Sequence, residues 1–586
     1  MRLLFSMPSY ALLAVMALLT IFSIRSEKPK PDQLCLASSA LFFGYILARG
    51  FLSPVEYIAR ADIYSVLGGL LVYLFVACVL TGAKPRIFVL LGLLAIGMVH
   101  VVIGAIQFTQ GQNFMPIPFL GRFDYGRRAS GFYISPNHLA GLLEVLGIFG
   151  LSIVCWSRLA MWLKLLVGYA TGVCYLGLIL TGSRGGYLST MASLLVFALL
   201  SLTGLSRASA KVFWRIGLPF VIIAIAICVV VTSSIRQSYY LGERADNLLG
   251  ENLTDSSAAL RTSWSQAALR QWMLQPVWGT GSGTYLYYGR LFRGPNVGGD
   301  PIHVHNDYLH LLGEYGLAGA AGSLLFLFFH LWRGGKTFRR LGPKRVAASA
   351  APSLLSNGLA LNIGALCTVA AYAVHSVVDF NLHVPANVLV VAFAFGLLAN
   401  GGSRRAGETH RLTMSLVLWR LALPGIGLLV AIQCARLLPR EYFAEGARTA
   451  LRKSGQSAAA MNLALNGLET EKGNPYLYQY LATAQIQQAD STSDKDERVS
   501  RYRAAITALR KAHVLAPKDK TFTFALALAY EQLGQFDEAE SMYKQTIALD
   551  PNLPWTKENY EAFLQRVRDR TQKPPPGRDA SVKPEP

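Results

Sequence analysis

Charged residues are scarce in this sequence. Only 15% of the 586 residues are Asp, Glu, Lys or Arg, whereas a soluble protein typically carries about 25%. Hydrophobic residues make up 52% of the chain. They are grouped in runs of roughly 15 to 22 residues, long enough to cross a hydrocarbon layer of about 30 Å as helices. The composition excludes a soluble globular protein and predicts an all-α, polytopic transmembrane protein.

Several sequence signatures are also missing. No GxSxG elbow, Walker loop or HExxH helix is present, so the enzyme classes built on those motifs are not predicted. The cysteines form no CxxC pair and lie inside apolar runs, which excludes a disulfide framework and a cysteine metal site. They are Cys35, Cys78, Cys155, Cys174, Cys228, Cys367 and Cys434.

Negative charge is in short supply, and the net charge is +21. In a soluble protein this excess would suggest a nucleic-acid partner. Here most basic residues lie in short loops between apolar runs, and the retention of positive loops in the cytoplasm explains them without nucleic acid. The loop 333–345 has six basic residues and no acidic one, so we expect it to be cytoplasmic.

We predict about twelve spans in residues 1–435, and from the parity of the basic loops we predict which connections face outward. The outward set is 108–137, 182–184, the large loop 233–305, 378–384 and everything after 434. The first apolar run is interpreted as a retained span, with a cleaved signal peptide as the alternative. The spans lie near 8–24, 34–48, 63–82, 86–107, 138–156, 161–181, 185–203, 214–232, 311–332, 355–377, 385–400 and 414–434.

The composition becomes soluble and helical from about residue 440. Ala505 and Ala539 are 34 residues apart, as are Pro517 and Pro551, and this period is typical of tetratricopeptide repeats. The polar stretch 489–500 supplies an insertion of about eight residues into one repeat. We therefore predict an α-solenoid over 440–570, with a concave face that binds a protein or peptide, and a disordered proline-rich tail over 571–586.

Four polar features fall on the predicted outward side, and their agreement is more informative than any one of them. They are 121–141, the turn 181–187, the stretch 261–284 in the large loop, and the segment 303–319. Three histidines at a membrane boundary have no obvious packing role. We therefore predict a reactive site that faces outward.

Two arginines in these features suit a diphosphate, because guanidinium groups bind phosphate oxygens through two hydrogen bonds. Arg184 begins a helix among glycines, where a phosphate can approach backbone N–H groups; the alternative is an interfacial side chain that reaches toward headgroups. Arg261 precedes Trp264 at helical spacing, and its alternative is the solvated face of an amphipathic helix. Arg127 and Arg128 rank lower, because adjacent side chains usually point apart.

His305 is the predicted general base, since an imidazole titrates near neutral pH. A histidine that merely caps a helix is the alternative. His303 and His305 form an HxH pair, but without a third ligand at convincing spacing we predict no metal and no cofactor. Glu144 lies inside a span, where it either borders a polar cavity or makes a core hydrogen bond.

The segment from His305 resembles the signature of the O-antigen ligase family of bacterial membrane glycosyltransferases. That pattern is His, then Asn, nine residues, Gly, two residues and Gly, and it is matched here by His305, Asn306, Gly316 and Gly319. The Ser-Arg-Gly turn at 183–185 resembles a second family mark. The third is Arg-x-x-Trp followed by Pro-x-x-Gly-x-Gly, found here in residues 261–281.

The resemblance implies a GT-C-like enzyme that moves a glycan from an undecaprenyl-diphosphate carrier to an acceptor hydroxyl without a metal, with inversion. It implies that His305 is the base and that Arg184 and Arg261 hold the diphosphate. It also implies a glycan, lipid A-core or protein acceptor and a location in the bacterial inner membrane, whereas the outward position of the repeats is predicted from the parity of the basic loops. Supporting roles are predicted for His303, Asn306, Tyr308, Arg127, Arg128, Asn137 and Asp379.

Other functions remain open at this stage. Polymerases of O-antigen or exopolysaccharide units and protein O-oligosaccharyltransferases share the motifs, and the repeats favour a protein-facing role. A lipid or solute transporter would place ionisable residues near the membrane middle and would show inverted repeats, neither of which is evident. A scaffold that acts only through its repeats would have no need of the intact His305 motif.

Overall fold

The computed structural model describes residues 3–23, 29–111, 114–117, 124–208, 256–295, 297, 300, 302–342, 355–402 and 414–572. The predicted span 214–232, the start of the large loop and most of the tail lie outside these residues. The chain divides into two compact units. The membrane unit comprises Met1–Thr284 and His303–Cys434, and the repeat unit comprises Tyr285–Ile302 and Ala435–Pro586.

Within the described residues, all regular structure of the membrane unit is helical, and ten helices of the chain are long and apolar enough to cross a membrane. The predicted polytopic, all-α class is confirmed, and the span near 385–400 is a shorter apolar helix of 15 residues. The helices are α1 (Leu3–Leu19), α2 (Gln33–Phe51), α3 (Glu56–Leu74), α4 (Ala83–Gln110), α5 (Pro136–Trp156), α6 (Met161–Thr181), α7 (Arg184–Ala208), α8 (Ser256–Leu274), α10 (Asp307–Leu341), α11 (Asn357–His375), α12 (Pro385–Ala399) and α13 (Met414–Ala450).

Helix α5 is the centre of the membrane unit, because 83% of its most apolar window is buried and it packs against α6, α7 and α11. Its start is fixed by Ser135, whose side chain accepts a hydrogen bond from the N–H of Asn137, and by Pro136 at the first helical position. This cap places Asn137 at the same end of α5 as the turn that follows α11, which is where the candidate site lies.

Helix α10 is broken at Gly316, whose φ of 63° and ψ of −165° are not helical. The N–H groups of Leu317 and Ala318 bond the carbonyls of Pro276 and Val277 at 2.9 and 3.0 Å. A Cβ built on Gly316 would lie 2.4 Å from the Val277 oxygen, so only glycine fits here. The break therefore joins two of the sequence motifs, residues 276–281 and 305–319, through their backbones.

Helices of the repeat unit follow as antiparallel neighbours in chain order. The predicted helical repeat region is confirmed, and Ala505 and Ala539, 34 residues apart, are fully buried. The insertion over 489–500 is absorbed largely as longer helices, since α15 and α16 have 17 and 21 residues where α17 and α18 have 13 and 14. The helices are α9 (Tyr285–Phe292), α14 (Ser457–Thr470), α15 (Pro475–Ser491), α16 (Lys495–Leu515), α17 (Lys520–Gln532), α18 (Phe536–Leu549) and α19 (Pro554–Gln572).

Candidate active site

His305 lies just before α10 and is held between two aromatic rings. Its imidazole stacks on Trp264 at 4.8 Å and meets the edge of Phe380 at 4.6 Å. Its φ of 57° is the only positive value among the described non-glycine residues, a backbone strain that persists only where the surroundings enforce it. The side chain is 27% exposed, so it is both fixed and accessible.

Asp379 orients that imidazole. Its Oδ1 lies 3.3 Å from His305 Nδ1, and its Oδ2 accepts a 2.6 Å hydrogen bond from the Asn137 amide. Burial alone would raise the pKa of Asp379, but the hydrogen bond and charge of His305 outweigh burial and hold this pKa well below its ordinary value. The carboxylate is therefore ionised at neutral pH and favours a proton on Nδ1, which leaves Nε2 as the basic nitrogen.

Asn137 and Arg128 continue this chain of contacts toward the second motif. Arg128 Nη2 donates to Asn137 Oδ1 at 2.7 Å, and its Nε donates to the Thr181 carbonyl at 2.8 Å. Thr181 ends α6, three residues before Arg184. The structure thus brings Asp379, Asn137 and Arg128 together as positioning groups, with the Arg184 turn at the far end.

Arg184 is half-buried at the first position of α7. The next residue shows how tightly this turn packs, because a Cβ on Gly185 would lie 2.8 Å from Val378 and 3.3 Å from His375 Nε2. Val378 immediately precedes Asp379 in the chain. The glycine therefore allows the start of α7 to lie against the turn that carries Asp379.

Arg261 is half-buried on α8, one turn before Trp264. Residues three apart share one face of a helix, so Arg261 lies on the face whose tryptophan stacks on His305. Helix α8 packs along α10, and Gln271 at its end donates to the hydroxyls of Thr280 and Thr284. These contacts fix α8 beside the histidine.

The matches with known families cover these motifs. Residues 169–324 match the family model described as O-Antigen ligase, and residues 499–567 match the one described as Tetratricopeptide repeat. The chain is therefore similar to O-antigen ligases over this stretch. No curated protein matches it. The predicted family resemblance and its repeat region are confirmed, and the matched stretch contains Arg184, Arg261 and His305. Asn137 and Asp379 lie outside the stretch that matches the O-antigen ligase model.

Three predicted supporting residues have other contacts. Asn306 caps α10, since its side chain accepts a 3.1 Å hydrogen bond from the N–H of Leu309. The Tyr308 hydroxyl donates to the Ala373 carbonyl at 2.7 Å, away from the imidazole. Arg127 is exposed and lies over Gly111, so it points away from Arg128, as expected for adjacent side chains.

His303 belongs to a second cluster beside the His305–Asp379 pair. Its ring stacks on Phe380 at 4.5 Å and lies 4.7 Å from His383. Burial and neighbouring imidazoles lower the pKa of His303 well below its ordinary value. Burial also opposes the charge of His383, but its hydrogen bond with Asp62 prevails and raises the pKa of His383 to about 9.

The cluster is also the group of described residues that could hold a metal ion, because the nearest nitrogens of His303, His310 and His383 lie within 4.8 Å of one another. In the present arrangement His383 Nδ1 faces Asp62 at 3.3 Å, and His310 Nε2 faces Glu314 at 3.3 Å. The rings of His310 and His383 lie partly face to face, 4.2 Å apart. Zinc ligands instead point their nitrogens at one centre about 2.0–2.1 Å away, so binding would require these contacts to change.

Sequence reasoning left one buried pair undecided. Glu144 accepts from Ser189 and lies 3.0 Å from His375 Nδ1, and both side chains of that pair are fully buried. The core hydrogen bond is therefore the correct alternative for Glu144.

The sequence analysis did not identify Phe380, His383 and Asp62 as residues of the site. The signal for the first two was present, because the short loop 378–384, predicted to face outward, contains an aspartate, an aromatic residue and a histidine within five positions.

Proposed function

We propose that the chain transfers a glycan from an undecaprenyl-diphosphate carrier to an acceptor hydroxyl at the extracytoplasmic face, with inversion and without a metal ion. The observation that carries this proposal is the partly exposed His305. Asp379 lies at its Nδ1, and Trp264, on the same helix as Arg261, stacks on its ring. The O-antigen ligase match over residues 169–324 supports the class of reaction.

The reaction is a single displacement at the anomeric carbon. The acceptor hydroxyl gives its proton to His305 Nε2 while its oxygen forms a bond to that carbon, and the bond from the carbon to the carrier phosphate breaks. Asp379 stabilises the imidazolium that forms. Attack from the face opposite the leaving group inverts the anomeric centre.

Arg184 and Arg261 are proposed to neutralise the charge that grows on the departing diphosphate. Guanidinium groups placed where charge develops can lower the barrier by several kcal/mol, so two of them can take the part that Mg²⁺ has in other transferases. Arg128 acts through Asn137 as a positioning residue, because its donors are already bonded to the Asn137 amide and the Thr181 carbonyl.

The acceptor is a glycan, lipid A-core or a protein, which correspond to polymerase, ligase and protein O-oligosaccharyltransferase activities. The tetratricopeptide match favours an interaction with protein and therefore a protein-facing activity. A transporter is disfavoured, because the described ionisable residues of the site are gathered where α5, α7, α10 and α11 begin or end.

We also propose that the chain spans the inner membrane of a bacterium and that its repeats lie outside the cytoplasm. Segment 285–302 and the repeats form one compact unit, so they share one side of the membrane. Four apolar helices, α10 to α13, lie between them in the chain, and an even number of crossings preserves the side. This requires α12 to cross although it is only about 22 Å long at 1.5 Å per residue, shorter than an average hydrocarbon layer.

Reporter fusions test this topology. Fusions after residues 342 and 402 are both expected to report the cytoplasm, because two crossings separate them, whereas a fusion after 452 should report the exterior. A cytoplasmic reporter at 452 would contradict both the external repeats and the crossing by α12.

A transfer assay with purified protein and a diphosphate-linked glycan tests the chemistry. His305→Ala should lower kcat by at least about 10²-fold, the lower end of what a positioned base contributes. Arg184→Ala and Arg261→Ala should lower kcat/KM by a similar factor. Arg127→Ala, an exposed arginine outside the site, is the matched control and should stay within about threefold of wild type.

Two results would contradict the proposal. Full activity of His305→Ala would remove the assigned base. Strong inhibition by EDTA that added Zn²⁺ or Mg²⁺ reverses would reject a metal-free reaction and would direct attention to the His303, His310 and His383 cluster.

A further inference from the structure

Part of the large loop folds with the repeat unit. Residues 285–302, here called the loop segment, begin with α9, and the aromatic rings of Tyr285 and Tyr287 are buried. The segment contacts two turns of the repeats, the one that precedes α17 and the one that follows α18. The segment is therefore part of the folded repeat unit.

A balanced network of six charges joins the two parts. Arg290 lies 3.0 Å from Asp519, and Arg293 lies 3.0 Å from Asp550. Asp300 completes the network from the loop side: it accepts from Arg290 at 3.1 Å and from Arg293 at 3.2 Å, and it lies 3.3 Å from Lys520.

Burial makes this network specific. The side chains of Arg293 and Asp550 are 0% exposed, and a buried charge is tolerated only when it is paired. The loop segment contributes two cations and one anion, and the repeats contribute one cation and two anions. The two surfaces are therefore complementary in charge, and each supplies what the other lacks.

Neutral contacts extend the interface. The Asn552 amide donates to the Arg293 carbonyl at 2.7 Å, and Lys518 donates to the Tyr288 hydroxyl at 2.8 Å while lying 4.6 Å from its ring centroid. Beside them a cavity of about 480 Å³ remains, lined by Asp300, Lys520, Phe524 and Trp555 among others. A further partner of the repeats would therefore bind a surface to which the loop segment contributes Asp300.

We propose that the repeat unit is an intramolecular clamp whose ligand is the loop segment, and that this clamp positions His305. The proposal rests on the proposed function. The chain leaves the membrane unit after Thr284 and returns at His303. Only two residues lie between Ile302 and His305, so the Cα atoms of these two residues are at most about 11 Å apart. Arg290 and Arg293 are thus positioning residues for the transfer reaction.

The other end of the loop segment is also fixed close to the site. Gly281 N–H bonds the Glu314 carbonyl at 2.9 Å, and Gly283 N–H bonds the Glu314 carboxylate at 2.9 Å. The chain that enters the segment is therefore anchored on α10, the helix that begins directly after His305 and Asn306. Release of the middle would leave the residues before His305 held from one side only.

The test uses the full chain with Arg290→Met and Arg293→Met combined. These changes leave the repeats' own bonds in place, because Lys520 still pairs with Asp550 at 2.5 Å and Asp519 still caps α17. Amide hydrogen exchange in residues 285–302 should rise at least about tenfold while that of the repeats stays constant. The kcat should fall about tenfold or more, with the donor KM within about threefold, because misplacing a catalytic group affects the chemical step.

Matched variants separate positioning from folding. Arg501→Met removes an ion pair of the repeats that does not involve the loop segment, the partly exposed 2.6 Å pair with Glu497 on α16, and should change neither the exchange of the loop segment nor kcat. Arg293→Lys keeps a positive charge beside Asp550 and should recover most of the lost kcat. Asn552→Ala removes only a neutral contact and should give a small increase in exchange with a proportionate loss in kcat.

Three outcomes would overturn the clamp. The first is unchanged exchange in residues 285–302 of the double variant. The second is a freed segment with wild-type kcat. The third, if the double variant unfolds, is an Asn552→Ala protein whose exchange and kcat do not change together. Failure of the proposed function is distinct, since wild-type protein would then be inactive in the transfer assay while the exchange results could still agree with the clamp.

Discussion

Two histidine–carboxylate pairs in the membrane unit have similar geometry but very different access to solvent. His305 lies 3.3 Å from Asp379 and is 27% exposed, whereas His375 lies 3.0 Å from Glu144 and both side chains are 0% exposed. The two pairs meet at one short turn, because His375 of the buried pair and Asp379 of the exposed pair are only four residues apart. Only the exposed pair can exchange a proton with a substrate.

The difference shows what a polar pair contributes in each setting. The buried pair ties α5 to α11, and Ser189 adds a bond from α7, so it stabilises the helices on which the site is built. The exposed pair does little for that packing but has a nitrogen available for chemistry. Substitutions should therefore separate the two pairs into one that controls stability and one that controls rate.

The largest expected effect is on the buried pair. His375→Leu leaves Glu144 buried with only Ser189 as a partner, and breaking a buried pair costs about 3–5 kcal/mol of unfolding free energy. The double variant Glu144→Leu with His375→Leu should recover part of that loss, because no charge is left unpaired. Thermal unfolding in detergent measures both. A double variant less stable than the single one would contradict a pairing role for Glu144.

The next effect is on the exposed pair. Asp379→Asn should lower kcat by about 10²-fold, or about 2.7 kcal/mol, because an amide neither stabilises the imidazolium nor fixes the proton on Nδ1. The change in unfolding free energy should be smaller than for His375→Leu. Asp62→Asn, which alters the partner of His383 instead, is the matched control and should lower kcat less than tenfold. Equal losses in the two variants would mean that Asp379 has no special relation to the base.

The sequence predicted the parts of this protein that depend on local composition. Apolar runs predicted the spans, the 34-residue period predicted the repeats, and the His305 and Gly316 spacing predicted the family. The structure explains why the motif has glycine at these positions, since Gly316 and Gly279 meet where any side chain would collide with backbone. Polar contacts within or next to these motifs could be predicted from the sequence.

Pairings across long separations were not predictable. Asp62 meets His383 across 321 residues, and Arg290 meets Asp519 across 229. Nothing in the local pattern around either aspartate identifies its partner, because a carboxylate can pair with any cation that the fold brings near. For the same reason the sequence assigned the whole of the large loop to the membrane domain, whereas the structure groups residues 285–302 with the repeats.

A smaller effect concerns pH and the His383–Asp62 pair, which is intermediate in exposure. Its hydrogen bond raises the pKa of His383 to about 9 in the folded protein, from about 6.5 in an unfolded chain. The folded state then holds a proton that the unfolded state has lost, so this stabilisation is complete below about pH 6.5 and disappears as pH rises through 9. Wild-type unfolding free energy should fall by about 2.5 kcal/mol over that range.

His383→Gln should flatten this decline, because the side chain no longer titrates. Nearby groups that act on His383 are Asp62, Asp307, Glu314, His303 and His310. The control is His513→Gln in the repeat unit, which should retain the wild-type slope. A decline that persists unchanged in His383→Gln would assign the pH dependence to another group.

The smallest effect tests whether Asn306, the second residue of the family motif, belongs to the exposed pair's chemistry or to the fold. Its side chain caps α10, and loss of such a cap costs about 1 kcal/mol. Asn306→Ala should therefore lower stability by about that amount, while Asn306→Ser, which can also cap, should stay close to wild type. Because α10 begins beside His305, kcat should follow the cap: nearly unchanged in Asn306→Ser and reduced less than tenfold in Asn306→Ala. If Asn306→Ser kept its stability but lost activity about 10²-fold, the amide would contact substrate directly, and the exposed site would extend one residue beyond the histidine.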